Sequence, residues 1–137
     1  MQVEAYLSFA GNCEEALQFY EHALGGKIEQ IHRFGGSPMD GAQLPADWKN
    51  KVMHATFNAG ETRFMASDGM PGQPAGNYAG FQLSVNIRRD QAKARQVFDA
   101  LSQGGKVQMP LQQTFWAAQF GMFTDKFGVP WMVNCGE

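Results

Sequence analysis

The sequence is short of most features that mark a specialised compartment or partner. It has two cysteines, Cys13 and Cys135, in 137 residues. That is too few for a disulfide framework and fits reduced, buried thiols. Lysine and arginine number 11 against 13 aspartates and glutamates, with no basic run, so nothing in the charge suits a nucleic-acid backbone. No apolar run approaches the roughly 20 residues needed to cross a bilayer, and no signal-peptide pattern opens the chain. The expectation is a cytoplasmic protein without a membrane partner. There is no G-x-S-x-G and no Cys/His pairing at a recognisable spacing, so nucleophilic catalysis has no support. There is no G-x-G-x-x-G either, and the chain is short for a doubly wound sheet that would hold adenosyl-methionine.

What the chain does have is apolar mass, glycine and soft side chains. It is 44% apolar, with 16 glycines, 8 methionines and 11 phenylalanines. The length suits one compact domain or two small modules sharing a core. "VEAYLSF" (3–9) reads as a strand. Asn12 is placed to cap a helix, with Glu15 three residues on as in a capping box. Cys13, Ala16, Leu17, Tyr20 and Leu24 follow at helical spacing, and Gly25 ends the helix. "KIEQIHRF" (27–34) is a second strand, 35–48 a loop of turn residues, and 51–69 a hairpin turning near Gly60. Residues 70–79 read as a linker.

The second half repeats this order. "FQLSVNI" (81–87) is a strand. Asp90 caps a helix with Ala94, Val97, Phe98 and Leu101 on one face, and Gly104 and Gly105 stop it. Strands follow at 106–114, 117–124 and 129–135, with Pro110 marking an edge strand or a bulge. "DKFG" (125–128) is a turn. Shifting by 104 − 25 = 79 residues puts Gly104 on Gly25, Gly105 on Gly26, Lys106 on Lys27 and Phe98 on Phe19. The same β-α-β-β-β unit occurs twice, in modules 1–69 and 80–137. The fold class is α+β, and a sheet with one helix covers only one of its faces.

With these units in view, "YLSFAGNCEEALQFY", "ALQFYEHALGGKI", "VMHATFNAG", "FMASDGMPG" and "TFWAAQFGMFTDKFGVPWMVNC" resemble the vicinal-oxygen-chelate superfamily. That superfamily includes glyoxalase I, extradiol dioxygenases and bleomycin- and fosfomycin-resistance proteins. The chain is most similar to the PhnB-like branch, some of whose members are labelled demethylubiquinone methyltransferase. The resemblance spans the chain and implies one domain over 1–137 made of paired βαβββ modules. It also implies a homodimer and either a small-molecule binding protein or an enzyme. Metal enzymes of the superfamily use His and Glu from four strands. In register, Ala5, Gly80, Met132 and Met65 fall at or near those positions, and Glu4 stands one residue from the first. The expectation is no metal and no other cofactor. A divalent-metal enzyme of the glyoxalase or dioxygenase type is the alternative.

The candidate site residues follow from residue type and phase. His54 lies in a strand in phase with Val52, Thr56 and Asn58; it is either a pocket acid/base or a structural histidine. His22 is expected in solvent, and His32 is open. Asp68 and Asp125 are turn formers first, with functional carboxylates as the second reading. Ser67, Gln82, Ser84, Gln112, Gln119 and Asn134 suit orientation of a polar ligand. Phe115, Trp116, Phe120, Phe123 and Trp131 are core or the walls of an apolar pocket. The ligand-contacting set is Ser67, Asp68, Gln82, Trp116, Gln119 and Asn134, with His54 the best candidate for chemistry.

Overall fold

The computed structural model describes residues 1–73 and 77–136. The chain divides into two compact units, 1–76 and 77–137. Part of the expected linker, 74–76, lies outside the described residues. The first unit runs β1 (Tyr6–Ser8), α1 (Cys13–Leu24), β2 (Lys27–Arg33), a single 3-10 turn (Ala46–Trp48), β3 (Val52–Ala59) and β4 (Thr62–Ser67). The second runs β5 (Leu83–Arg88), α2 (Gln91–Ser102), β6 (Lys106–Gln112), β7 (Gln119–Thr124) and β8 (Pro130–Gly136). Their sheets have matching orders, β1-β4-β3-β2 and β5-β8-β7-β6. In each, the first strand pairs parallel to the last and the others pair antiparallel. The repeated βαβββ unit inferred from the two GGK segments is therefore the architecture.

Each helix covers one face of its own sheet. In the first unit Ala16, Leu17, Tyr20 and Ala23 of α1 are buried. Tyr20 meets the rings of Phe57 and Phe64 edge-on, with centroids at 6.5 and 6.2 Å. In the second, Ala94, Val97, Phe98 and Leu101 of α2 are buried, and Phe98 stands edge-on to Phe123 at 5.1 Å. Pro110 lies on the edge strand β6, beside an interrupted register between Met109 and Gln112, so its missing N–H breaks no inner ladder. The strand expected over 3–9 is shorter, Tyr6–Ser8, with Met1 and Val3 in solvent.

One local rule fails at the start of α1. Asn12 makes no side-chain capping bond, so the capping box with Glu15 does not form. At α2 the expected cap is present: the Asp90 side chain accepts from the Lys93 N–H at 2.9 Å.

The two glycines of each pair do different jobs. Gly25 and Gly104 have φ of 73° and 78°, where a side chain is strained. Gly26 and Gly105 are needed for closeness. A Cβ on Gly26 would meet the Asn58 carbonyl oxygen at 2.6 Å and the Phe57 ring at 2.7 Å. One on Gly105 would collide with the Thr124 carbonyl oxygen. Each pair thus turns the chain and then lays it against the third strand. Accordingly, Gly104→Ala should cost about 1–2 kcal/mol, the left-handed penalty. Gly105→Ala should cost about 3 kcal/mol or more, because backbone must move. Urea midpoints for the two variants check the order; equal losses would contradict it.

Candidate ligand-binding site

Strand side chains alternate, so the residues opposite each helix can be read from register. On the first sheet one row is Tyr6, Met65, Thr56 and Gln30, each paired with the next. The adjacent row holds Ser8 paired with Ser67, and His54 paired with His32. Titratable and hydroxyl groups are concentrated here. The Tyr6 hydroxyl lies 3.1 Å from His54 Nδ1. Their ring centroids are 5.7 Å apart, and the His32 ring is 6.4 Å from that of His54. With the tyrosine donating to Nδ1, the neutral imidazole carries its proton on Nε2. Tyr6 is 47% exposed and His54 half-buried.

Tyr6 escaped the sequence reading, although a signal existed. Glu4, Tyr6 and Ser8 form the polar phase of a segment whose other phase is Ala5, Leu7 and Phe9. One expectation changes as a result. Tyr6, not Ala5, shares the helix-distal face with Met65. Glu4, one residue from the first expected ligand position, is engaged by Arg63, whose Nε donates to both its oxygens at 3.0 Å. The pair borders a hollow of about 540 Å³ with Glu29, Asn58 and Thr62.

Ser67 is 7% exposed and stands on the His54 side of its strand. Its neighbour Asp68 turns inward and is 2% exposed. Asp68 Oδ1 accepts the Gly11 and Cys13 N–H groups, and Oδ2 accepts that of Val52, all at 2.8 Å. This is the cap that Asn12 does not supply. Both oxygens are committed to backbone, so Asp68 holds the module together rather than facing a ligand. Asp125 behaves similarly: Oδ1 accepts from Phe127 and Val129 at 2.9 Å, and Oδ2 from the Trp131 indole at 2.9 Å. Cys13 and Cys135 are free and buried. Burial first, then the charges of Asp68 and Glu14, push the Cys13 thiol well above its ordinary range.

On the second sheet the helix-distal rows are Asn86, Asn134, Phe120 and Gln112, then Ser84, Met132, Met122 and Met109. Trp116 approaches Phe120 edge-on at 5.2 Å. The expected aromatic cluster divides: Phe123 and Trp131 are core, whereas Phe115 and Trp116 are exposed. Gln119 has the opposite phase to Phe120 and pairs with Cys135. Gln82 stands apart, in a hollow of about 310 Å³ with Tyr78, Gly80, Phe81 and Pro130.

The donor chemistry does not suit a hard divalent ion. At the positions that the resemblance assigns to the metal ligands, Ala5 and Gly80 offer no donor and Met65 and Met132 only thioethers, with the Tyr6 phenol beside Ala5. Such ions prefer carboxylate, carbonyl and imidazole donors. Among the described residues no three His, Cys, Asp or Glu side chains group as metal ligands, and no helix is long and apolar enough to cross a membrane.

With two βαβββ units established, the glyoxalase/bleomycin resistance protein/dioxygenase superfamily model matches residues 2–133. The chain belongs to that superfamily. It is 38% identical to Protein YjdN of Escherichia coli (strain K12), over 98% of this chain and 95% of that protein. Among solved structures of the superfamily's fold, it is similar to protein PA1353 from Pseudomonas aeruginosa, with 50% identity, a TM-score of 0.87, and coverage of 99% and 98% of the two chains. It is also similar to a PhnB protein from Bacillus cereus, at 27% identity and a TM-score of 0.81, over 99% and 100% of the two chains.

Asp68 supplies the sharpest test of this geometry. Asp68→Ala strands three backbone N–H groups, two of them in buried bonds, and should cost about 3 kcal/mol or more. It should also expose Cys13 to alkylation in native buffer. A variant of near wild-type stability with an unreactive Cys13 would show that the carboxylate is dispensable.

Proposed function

We propose that this protein binds a small polar molecule on the helix-distal face of its first module, with His54 as the principal contact. The Tyr6–His54 bond carries this reading. A structural histidine would sit in a buried network. His54 instead is half-buried and lies 3.1 Å from the hydroxyl of a partly exposed tyrosine; where that hydroxyl donates to Nδ1, an Nε2–H is left for a ligand. Ser67, Thr56 and Gln30 add neutral donors and acceptors that orient without reacting. In the second module Asn134 and Trp116 are the corresponding candidates, whereas Gln119 has the opposite phase and Gln82 lies in a hollow of its own. Whether binding leads to turnover depends on the ligand, and His54 is the group able to move a proton.

The donor set favours binding without the superfamily's usual metal over the metal-dependent glyoxalase or dioxygenase alternative. Methyl transfer, for which the Bacillus cereus relative is named, has no glycine-rich loop after the first strand to support it. We place the protein in the PhnB-like branch, in the cytoplasm, as one domain of two modules that forms a two-fold homodimer. Edge strands β1 and β6 carry little charge to deter pairing. The interface should exceed about 1,200 Å².

A thermal-shift screen against polar metabolites tests the site. His54→Ala should abolish the shift given by the best ligand and move the protein's own Tm by no more than about 2 °C. A loss of stability on the order of 2 kcal/mol or more would return His54 to a structural role. Native mass spectrometry of protein purified without chelator tests the rest. The expected species is a dimer without bound Zn, Ni, Mn or Fe; a monomer at all concentrations, or one tightly held ion per chain, would refute the corresponding part.

A further inference from the structure

We propose that the Asp40–Gly41 bond is a site of spontaneous covalent modification, at which the backbone isomerises through a cyclic succinimide to isoaspartate. The proposal does not rest on the ligand reading. Aspartate followed by glycine occurs twice in the chain, at 40–41 and 68–69. The chemistry open to both is the same. The glycine nitrogen attacks the aspartate Cγ, a new N–Cγ bond forms, and the N–H proton leaves with the carboxyl hydroxyl as water. Water then adds to one of the two ring carbonyls. Breaking the N–Cγ bond restores aspartate. Breaking the bond from nitrogen to the main-chain carbonyl carbon gives isoaspartate, with the chain now running through the side-chain carbon. The reaction needs an unheld glycine N–H, a chain free to turn that nitrogen onto Cγ, and access for water. Glycine suits it because no Cβ shields the nitrogen.

The fold separates the two sites on every one of these requirements. Asp68 is buried, and its oxygens accept three backbone N–H groups. The Gly69 N–H faces the Ser67 hydroxyl at 3.4 Å, and a Cβ on Gly69 would meet Gln73 Oε1 at 3.2 Å. Asp68 cannot turn toward Gly69 without breaking the bonds that set the module's register. Asp40 lies in the exposed connection between β2 and β3, outside any helix or strand. Among the described residues no hydrogen bond engages the Gly41 N–H. Nothing lies within 4 Å of where a Gly41 side chain would begin. The Asp40 carboxylate has two partners: Oδ2 accepts the Gly36 N–H at 2.9 Å, and Lys49 Nζ stands 3.6 Å from Oδ1. Both contacts are at the surface and hold it weakly. Both engage the oxygens and not the carbon that is attacked. In isoaspartate the free carboxylate sits directly on Cα, one carbon shorter, and withdraws from Gly36 and Lys49. The ends of the connection stay tied, by the Gly35 N–H on the Lys49 carbonyl and the Trp48 indole on the Gly69 carbonyl, so the change is confined to the loop.

The test ages the folded full chain in 18O-water. Each passage through the succinimide leaves one 18O in the residue, whichever ring carbonyl is opened. Peptide mapping locates the label, and electron-transfer fragmentation tells isoaspartate from aspartate. Residue 40 should gain label and isoaspartate together, and residue 68 should gain neither. In chain unfolded by urea both should label at comparable rates, which shows that the fold and not the sequence protects Asp68. Gly41→Val places a branched Cβ beside the attacking nitrogen and should slow labelling at residue 40 by about 10-fold or more. Asp40→Glu, which would need a ring one atom larger, should abolish it. Gly41 has open space around it, so neither variant should disturb folding, and an unchanged Tm checks this. Equal labelling of residues 40 and 68 in the folded chain would overturn the proposal. So would label at residue 40 only after unfolding, or label there that Gly41→Val leaves unchanged.

Discussion

The two oxygens of Asp68 accept three backbone N–H groups from the loop before α1, the first residue of α1 and the first residue of β3. Asp68 itself follows the last residue of β4. One side chain therefore joins both ends of the first module's fold, across separations of more than 50 residues at the helix end. The helix N-terminus gains a negative partner where its free N–H groups point. The strands gain a fixed starting register, since a slip of one residue would turn every side chain to the other face. The face that displays Tyr6 and His54 in adjacent rows depends on that register. Misplaced by one position, β1 would present Ala5 or Leu7 to the histidine instead of a hydroxyl.

The second module repeats the topology without repeating this device. Asp125 is about as buried as Asp68, but these bonds of its carboxylate are local: to its own turn, to the start of the following segment, and to the indole of Trp131. α2 is capped by Asp90 from the adjacent residue. The two sheets share strand order and differ in what they display opposite the helix. One shows hydroxyls and imidazoles; the other shows amides, thioethers and aromatic rings. The helix-facing sides had to keep apolar packing in both. The opposite sides were free to diverge.

The elements were legible because their signals are local. Helical spacing, the Gly-Gly stops and the turn residues at Gly60 and Asp125 need only neighbouring positions. Asn12 was misread because a local capping rule competes with a carboxylate far along the chain, and sequence spacing gives no sign of which wins. Asp68 was read as a turn residue for the same reason, since Asp-Gly is a genuine turn signal. Tyr6 was missed because its meaning depends on β1 lying beside β4, and a parallel pairing leaves no hairpin signature. The aromatic cluster resisted sorting because Phe115 and Trp116 fall in a connection where alternation stops. Phe123 and Trp131 sit in strands where alternation decides their side.

The silence of the native thiols has a practical consequence for mapping these faces. Both cysteines are buried, and burial together with the charges of Asp68 and Glu14 pushes the Cys13 thiol up, which disfavours the reactive thiolate. A cysteine introduced on the surface, at Phe115 for instance, would be the readily modified thiol in the folded chain. Spin labels, fluorophores or crosslinkers could then be placed one at a time in the unaltered background, without first removing residues on which the core relies.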